Sequence, residues 1–310
     1  MPRPRILVVG SINMDLLYRT ARLSRPGETR AGHSFREMPG GKGANQAVAA
    51  ARLGASVAMV GRVGDDSFGQ ALIRGLEQEK IDVRHVQVTA DCSSGLAVVG
   101  VEDSGQNSIT VIAGSNSLVT PEDVAAAEPL FRTADVLLVQ FEIPPATVQS
   151  AIALAHRHQV KVILDPAPAV GAVSPGILQV DIVCPNESEA ETLSGRPTDT
   201  IAAALEAARA IQRMGPKLSV ITMGSHGAVA FDGDRCHHFS PFSVHAIDTT
   251  AAGDSFAAAL GVAYAEGLPP VDAIRFASAA GALATTRRGA QSAMPQRQEV
   301  ELLVSSEFPE

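Results

Sequence analysis

Cysteine is scarce: Cys92, Cys184 and Cys236 are the only three in 310 residues, and no two form a Cys-x-x-Cys pair. That removes a disulfide framework and a cysteine zinc site, leaving reduced, mostly buried thiols. Basic charge is short as well, with 25 Lys and Arg against 33 Asp and Glu, a formal net charge of -8 and a pI near 5.5. A broad basic face for nucleic acid is excluded, because such binding runs on Lys and Arg neutralising phosphates. No apolar run approaches the roughly 18 residues of a membrane span. Pro2-Arg3-Pro4-Arg5 leads into only four apolar residues, too few for a signal-peptide core. A cytoplasmic protein with neither nucleic-acid nor membrane partners is expected. The histidines suggest no metal: His156 and His158 stand two apart in a helical pattern, and His237 and His238 point to opposite sides of a strand. Two common nucleotide signatures are also missing. After the first strand the chain reads Gly10-Ser11-Ile12-Asn13-Met14-Asp15, without the later glycines of G-x-G-x-x-G, and G-x-x-x-x-G-K-[ST] occurs nowhere. A Rossmann dehydrogenase and a P-loop ATPase are thus disfavoured.

What is present is 45% hydrophobic residues, enough at this length to bury a large core. Short apolar runs alternate with longer Ala-rich amphipathic segments, which argues for an α/β sandwich around a mostly parallel sheet. Strands are expected at Ile6 to Val9, Val57 to Val60, Val136 to Gln140, Val160 to Asp165, Ile182 to Cys184, Leu218 to Met223 and Ala228 to Phe231. Helices are expected at Ala44 to Leu53, Phe68 to Glu79, Pro144 to His158, Ser188 to Ser194, Ile201 to Met214, Gly253 to Glu266 and Pro270 to Thr286. Two stretches break the alternation and read as antiparallel hairpins, 15–35 around Ser24-Arg25-Pro26-Gly27 and 95–112 around Glu102-Asp103-Ser104-Gly105. With no linker, low-complexity run or long repeat, residues 1–310 are expected to form one domain carrying these hairpins as a lid.

Several segments could carry chemistry. Asn13 and Asp15, two apart in an extended stretch, face the same way and suit vicinal hydroxyls; the competing possibility is a turn-stabilising Asx pair. Gly40-Gly41-Lys42-Gly43-Ala44-Asn45-Gln46 allows close backbone approach before an Ala-rich helix, or is simply a glycine-rich connection. Glu142 follows an apolar strand, where ligands of open α/β sheets gather. Asn186 and Glu189 stand three apart on one helix face, fit for a hydrated Mg2+; on spacing alone an N-cap with its acidic first turn explains them better. The most specific segment is Asp248-Thr249-Thr250-Ala251-Ala252-Gly253-Asp254-Ser255-Phe256, where small residues leave backbone N–H groups at a helix start open to an anion. Such donors suit a phosphoryl group in transfer, and a carboxylate at Asp254 suits removal of a proton from the attacking hydroxyl.

In this order and spacing, GSINMD at 10–15, GGKGANQAVAA at 40–50, NESE at 186–189 and DTTAAGDSF at 248–256 resemble the PfkB, or ribokinase-like, family of ATP-dependent carbohydrate kinases over nearly the whole chain. The resemblance implies a three-layer α/β/α sandwich with a small β lid. It also implies phosphorylation of D-ribose at the 5-hydroxyl by ATP, with Mg2+ required and K+ as activator, in a homodimer formed through the lids. By resemblance Asn13, Asp15, Gly41, Lys42, Gly43, Ala44, Asn45 and Glu142 hold the sugar, Asp254 is the catalytic base, and Ala252 and Gly253 form the anion hole. Asn186, Glu189, Ser278, Gly253 and the loop Thr222, Met223, Gly224, Ser225, His226, Gly227 match the ATP and Mg2+ positions. Asp248, Thr250, Ala284, Arg287, Gly289 and Ala293 match the K+ site, largely through backbone carbonyls. Ala293 stands where many relatives have Ser, and Ser278 where His or Asn is common. Within this class the alternatives are kinases for 2-deoxyribose, fructose, a keto-deoxy sugar acid or a nucleoside. From another class comes a catalytically silent sugar-binding regulator, which would need neither Asp254 nor the N-x-x-E motif.

Overall fold

Strands and helices alternate through most of the computed structural model, which describes residues 3–171, 173–174 and 176–307. In chain order the elements are β1 (Arg5–Val9), β2 (Asn13–Thr20), β3 (Ser34–Gly40), α1 (Lys42–Arg52), β4 (Ser56–Gly64), α2 (Ser67–Gln78), β5 (Asp82–Thr89), β6 (Gly95–Glu102) and β7 (Asn107–Ile112). There follow α3 (Pro121–Ala126), α4 (Glu128–Phe131), β8 (Val136–Val139), α5 (Pro145–Arg157), β9 (Lys161–Leu164), β10 (Ile182–Val183), α6 (Glu187–Ser194) and α7 (Ile201–Gln212). Last come β11 (Leu218–Thr222), β12 (Ala228–Phe231), β13 (Cys236–Phe239), α8 (Ala252–Ala265), α9 (Pro270–Ala284) and α10 (Arg297–Glu307).

One sheet has the order β13-β12-β11-β10-β9-β8-β1-β4-β5. The strands from β5 through β11 are parallel, and β12 and β13 return antiparallel at one edge. Strands covered on both faces read as continuous apolar runs. β1 and β8 divide theirs cleanly: Ile6, Val8, Val136 and Leu138 enter the core under α1, α2, α8, α9 and α10, whereas Leu7, Val9, Leu137 and Val139 enter the core under α3, α4, α5 and α7. The expected α/β/α layering is therefore what the chain adopts. Strand order reverses at β1, which lies between β4 and β8, and ligands of such sheets collect beyond the strand ends at a reversal.

A second sheet, ordered β3-β2-β6-β7, contains both hairpins. The first is wider than 15–35: its strands reach from Asn13 to Gly40 and pair from Asn13↔Gly40 to Arg19↔Ser34. The hairpins are joined by a parallel ladder from Asn13↔Gly95 to Thr20↔Glu102. Sequence patterning overlooked β5, β13, α3, α4 and α10. In β5 the register against β4 shifts between Ala58 and Val60 and only Val86 is buried, so no period-two apolar pattern runs along it.

Candidate active site

Three strand ends and one helix start build the site. The loop after β1 places Ser11, the first residue of β2 is Asn13, the segment after β8 places Gln140 and Glu142, and Asp165 directly follows β9. Against them sits the start of α1. Gly41, at φ 86, is its N-cap in a conformation L side chains rarely adopt. A Cβ on Gly43 would lie 2.7 Å from the backbone of Gly10 and Ser11, so only glycine lets the helix approach the β1 loop this closely. The first amides of α1 are consumed there. Lys42 N–H donates to Glu142 Oε2 at 3.1 Å, Gly43 N–H to Ser11 Oγ at 3.3 Å and Ala44 N–H to the Ser11 carbonyl at 2.9 Å, while Ser11 Oγ donates to Glu142 Oε2. This loop braces a carboxylate and is not an open anion nest.

The open amides are at α8. Its N-cap, Ala251, is left-handed at φ 58 and supplies no side-chain cap. The Ala252 N–H is taken by the Thr249 carbonyl at 3.3 Å; among the described residues the N–H groups of Gly253 and Asp254 have no acceptor. A left-handed non-glycine residue costs about 1–3 kcal/mol and commonly marks a functional turn. Of the two amides expected to face an anion, Ala252 and Gly253, only that of Gly253 is open, with that of Asp254 beside it.

Asp254 itself is buried, 4% exposed. Its Oδ2 accepts from Asn45 Nδ2 at 2.8 Å and its Oδ1 from Gln46 Nε2 at 3.3 Å, with Lys42 Nζ 3.7 Å away. A second buried carboxylate, Asp165, accepts from Gln46 Nε2 at 2.9 Å and pairs with Lys42 Nζ at 3.5 Å. Gln140 Nε2 donates to Gln46 Oε1 at 2.6 Å and so fixes which end of the Gln46 amide faces the two carboxylates. Burial works against the Lys42 ammonium, but Asp165, Asp254, Glu142 and Glu189 outweigh it and hold its pKa above the ordinary lysine value. Burial pushes the Asp165 carboxyl up, with Lys42 opposing. Asp15 is pushed up to about 7 by burial, then by the charges of Glu142 and Asp254. Asn13 and Asp15 are strand residues in β2, which removes the Asx-turn alternative.

Beyond α8 opens a cavity of about 440 Å³ lined by Thr222, Gly224, Ser225, Gly227, Ala252, Gly253 and Ser278 together with Pro241, Phe242, Val244, Ala246, Thr249, Phe256, Gly281 and Ala282. Met223 and His226 do not line it: Met223 is buried in the core, and the His226 carbonyl is hydrogen-bonded to His238 Nε2 at 3.1 Å. Among the described residues the buried Ser278 hydroxyl has no hydrogen-bond partner. Asn186 is bridged to Thr222 and caps α6 reciprocally with Glu189: Asn186 Oδ1 accepts Glu189 N–H at 2.9 Å, and Glu189 Oε2 accepts Asn186 N–H at 2.8 Å. The N-cap explanation of this pair is therefore realised, and among the described residues Glu189 Oε1 has no hydrogen-bond partner.

Asp248 Oδ1 accepts from Thr250 N–H at 3.0 Å and Oγ1 at 2.6 Å, and Oδ2 accepts from Gly289 N–H at 3.0 Å. Burial opposes ionisation of this carboxyl, but those donors win and lower its pKa. Arg287 spends its guanidinium on Glu299. Among the described residues the carbonyls of Thr250, Ala284, Arg287, Gly289 and Ala293 accept no backbone hydrogen bond within the chain. A carboxylate of lowered pKa bonded to Thr250 and Gly289, together with carbonyls that accept no backbone bond, is a donor chemistry that fits a large monovalent cation.

Sequence reasoning missed Gln46, Asp165, Asn116 and the cavity wall 241–249. Asp165 carried one signal, a carboxylate at the end of an apolar strand, which had singled out Glu142. A model of pfkB family carbohydrate kinases matches residues 3–297. Ribokinase of Haemophilus influenzae is 39% identical over 297 residues, covering 96% of this chain and 97% of that protein. Ribokinase of Bacillus subtilis is 40% identical over 300 residues, covering 97% and 99%. Deoxyribokinase of Salmonella typhi is 36% identical over 291 residues, covering 94% and 95%. Among solved structures, Arabidopsis thaliana ribokinase complexed with ribose and ATP has a TM-score of 0.90 at 32% identity, covering 98% of this chain and 99% of its own. Similarity of this extent spans both sheets and both sides of the α8 N-terminus, and the chain belongs to the pfkB family of carbohydrate kinases.

Proposed function

We propose that the protein transfers the γ-phosphoryl group of ATP to the 5-hydroxyl of D-ribose, giving D-ribose 5-phosphate and ADP. The observation that carries this is the position of Asp254, whose carboxylate belongs to the polar cluster of Lys42, Asn45 and Gln46 while the helix turn it sits on opens into the cavity beside Gly253. The identities with ribokinases and the fold shared with a ribokinase holding ribose and ATP support ribose as acceptor. Asp254 takes the hydroxyl proton, the hydroxyl oxygen attacks the γ-phosphorus in line, and the bond to the β-γ bridging oxygen breaks as ADP leaves. The free amides of Gly253 and Asp254 meet the charge developing on the phosphoryl oxygens. Asn13, Asp15, Glu142 and Asn45 hold the sugar, and the cavity holds the nucleotide. Asp165 and Asp254 together keep Lys42 charged beside the point of transfer.

Glu189, with one free carboxylate oxygen, would hold Mg2+ through water, where the ion neutralises phosphate charge. Asp248 and the free carbonyls of Thr250, Ala284, Arg287, Gly289 and Ala293 would hold K+. The β3-β2-β6-β7 sheet acts as a lid that excludes water from the pocket on one kinase domain. Phe35, Ile109 and Val111, each 58% exposed on that sheet, support a homodimer formed through the lids. Among the described residues no helix is long and apolar enough to cross a membrane, and we assign the enzyme to the cytoplasm.

The test is coupled ADP release with ribose, 2-deoxyribose, fructose and adenosine, with and without K+. Ribose is expected to give the highest kcat/KM and K+ to raise it. Turnover of another acceptor with ribose at background would overturn the assignment. Light scattering at working concentration should return the dimer mass.

A further inference from the structure

Asn116 lies in the 3-10 turn Gly114–Leu118 just beyond the lid strand β7 and is 1% exposed. Its Oδ1 accepts the Ile12 N–H at 2.9 Å, and its Nδ2 donates to the Ile12 carbonyl at 3.2 Å and to Asn13 Oδ1 at 2.6 Å. The two ends of a carboxamide have nearly the same outline and are told apart by their partners. Here the backbone decides, because the Ile12 N–H can only donate and the Ile12 carbonyl can only accept. Asn116 must therefore turn its NH2 toward Asn13, and Asn13 must answer with its oxygen. Among the described residues the Asn13 NH2 has no hydrogen-bond acceptor in the chain. The pair is held closely, since a Cβ on Gly95 would stand 2.1 Å from Asn116 Nδ2 and 2.2 Å from Asn13 Oδ1.

We infer that Asn116 is a positioning residue for sugar specificity: it locks the Asn13 amide so that a hydrogen-bond donor, not an acceptor, is offered to the substrate beside the acceptor Asp15. The inference rests on the sugar-kinase assignment above and deepens it. Asn13 and Asp15, on one face of β2, then read a vicinal diol in one sense, one hydroxyl accepting and its neighbour donating. An acceptor lacking either hydroxyl leaves a buried polar group unpaired.

Asn116→Asp tests this with minimal change of shape. One oxygen of the introduced carboxylate still accepts the Ile12 N–H, while the other faces two acceptors unless the Asn13 amide rotates to donate to it. Rotation presents the Asn13 oxygen to the sugar. The expected result is a KM for ribose raised about tenfold, with kcat and the KM for ATP within about twofold, and a reduced preference for ribose over 2-deoxyribose. A double-mutant cycle with Asn13→Ala separates positioning from general damage: on that background Asn116→Asp should change the sugar KM by less than about twofold. Should Asn116→Asp not fold, Asn116→Ala, which frees the Asn13 amide, should raise the sugar KM and lower the same preference. An unchanged sugar KM in either single variant, or equal losses with and without the Asn13 amide, overturns the inference. The wild type is assayed first across the sugars, and the cycle is run on the best acceptor. The ribose assignment and the role of Asn116 can then fail separately.

Discussion

On one side of the α8 N-terminus stand charged or amide side chains, Asn13 and Asp15 on β2 and then Lys42, Asn45, Gln46, Glu142, Asp165 and Asp254, the last six linked by hydrogen bonds and ion pairs. On the other side the cavity walls are glycine, alanine, valine, proline and phenylalanine with a few hydroxyls and no charged side chain. In the proposed reaction the first half recognises the sugar with side-chain charge and hydrogen-bond sense. The second relies on shape and backbone. Substitutions that keep volume but change charge should therefore damage the first half, and those that add volume should damage the second.

The largest expected effect is at the meeting point. Asp254→Ala should lower turnover by about 10²–10⁴. ATP binding, followed by calorimetry, should persist because the cavity wall is intact; near-normal turnover would remove Asp254 from its role. Next, Ala282→Phe should fill part of the cavity and raise the KM for ATP by about tenfold or more with the sugar KM unchanged, whereas Ser225→Ala should move either by less than about twofold. If Ser225→Ala were the more damaging of the two, the contrast between the halves would collapse.

Asp15→Asn should raise the sugar KM about tenfold and also stabilise the sugar-free protein. The sign follows from the raised carboxyl, which ionises near 3.8 when unexposed to the fold but at about 7 within it. Folding then opposes an ionisation that the unfolded chain makes freely, so stability is lost as pH rises from about 4 to 7. The variant lacks that penalty, and its melting temperature should exceed the wild type's by about 2 °C at pH 8 and by less at pH 5. A lower melting temperature at pH 8 would mean that Asp15 ionises without penalty. The smallest effect belongs to Ala293→Ser, which adds one oxygen near the proposed cation ligands and should lower the K+ concentration for half-activation by about threefold.

The two halves were unequally legible in the sequence. Apolar runs such as Val136 to Val139 fixed the covered strands because parallel strands have no polar face to interrupt them. The small residues before Asp254 likewise exposed the helix start with open amides, though not that Thr249 closes the Ala252 amide. Gln46 and Asn116 were silent because each bonds partners 94 to 208 residues away, which no local spacing encodes, and Asp165 showed only its place at a strand end. Asn186 and Glu189 show the converse: their spacing suits both capping and metal binding, and only the reciprocal bonds distinguish the capping role.

The placement of β1 between β4 and β8 also bears on synthesis. The first strand of the chain gains one neighbour only when residue 60 has been made and the other only after residue 139. β2 waits for Gly95 before its parallel ladder can begin. Asp254 emerges later still, after all strands of both sheets. On the ribosome the side chains proposed to hold the sugar, from Asn13 to Glu142, are thus laid down before the proposed base.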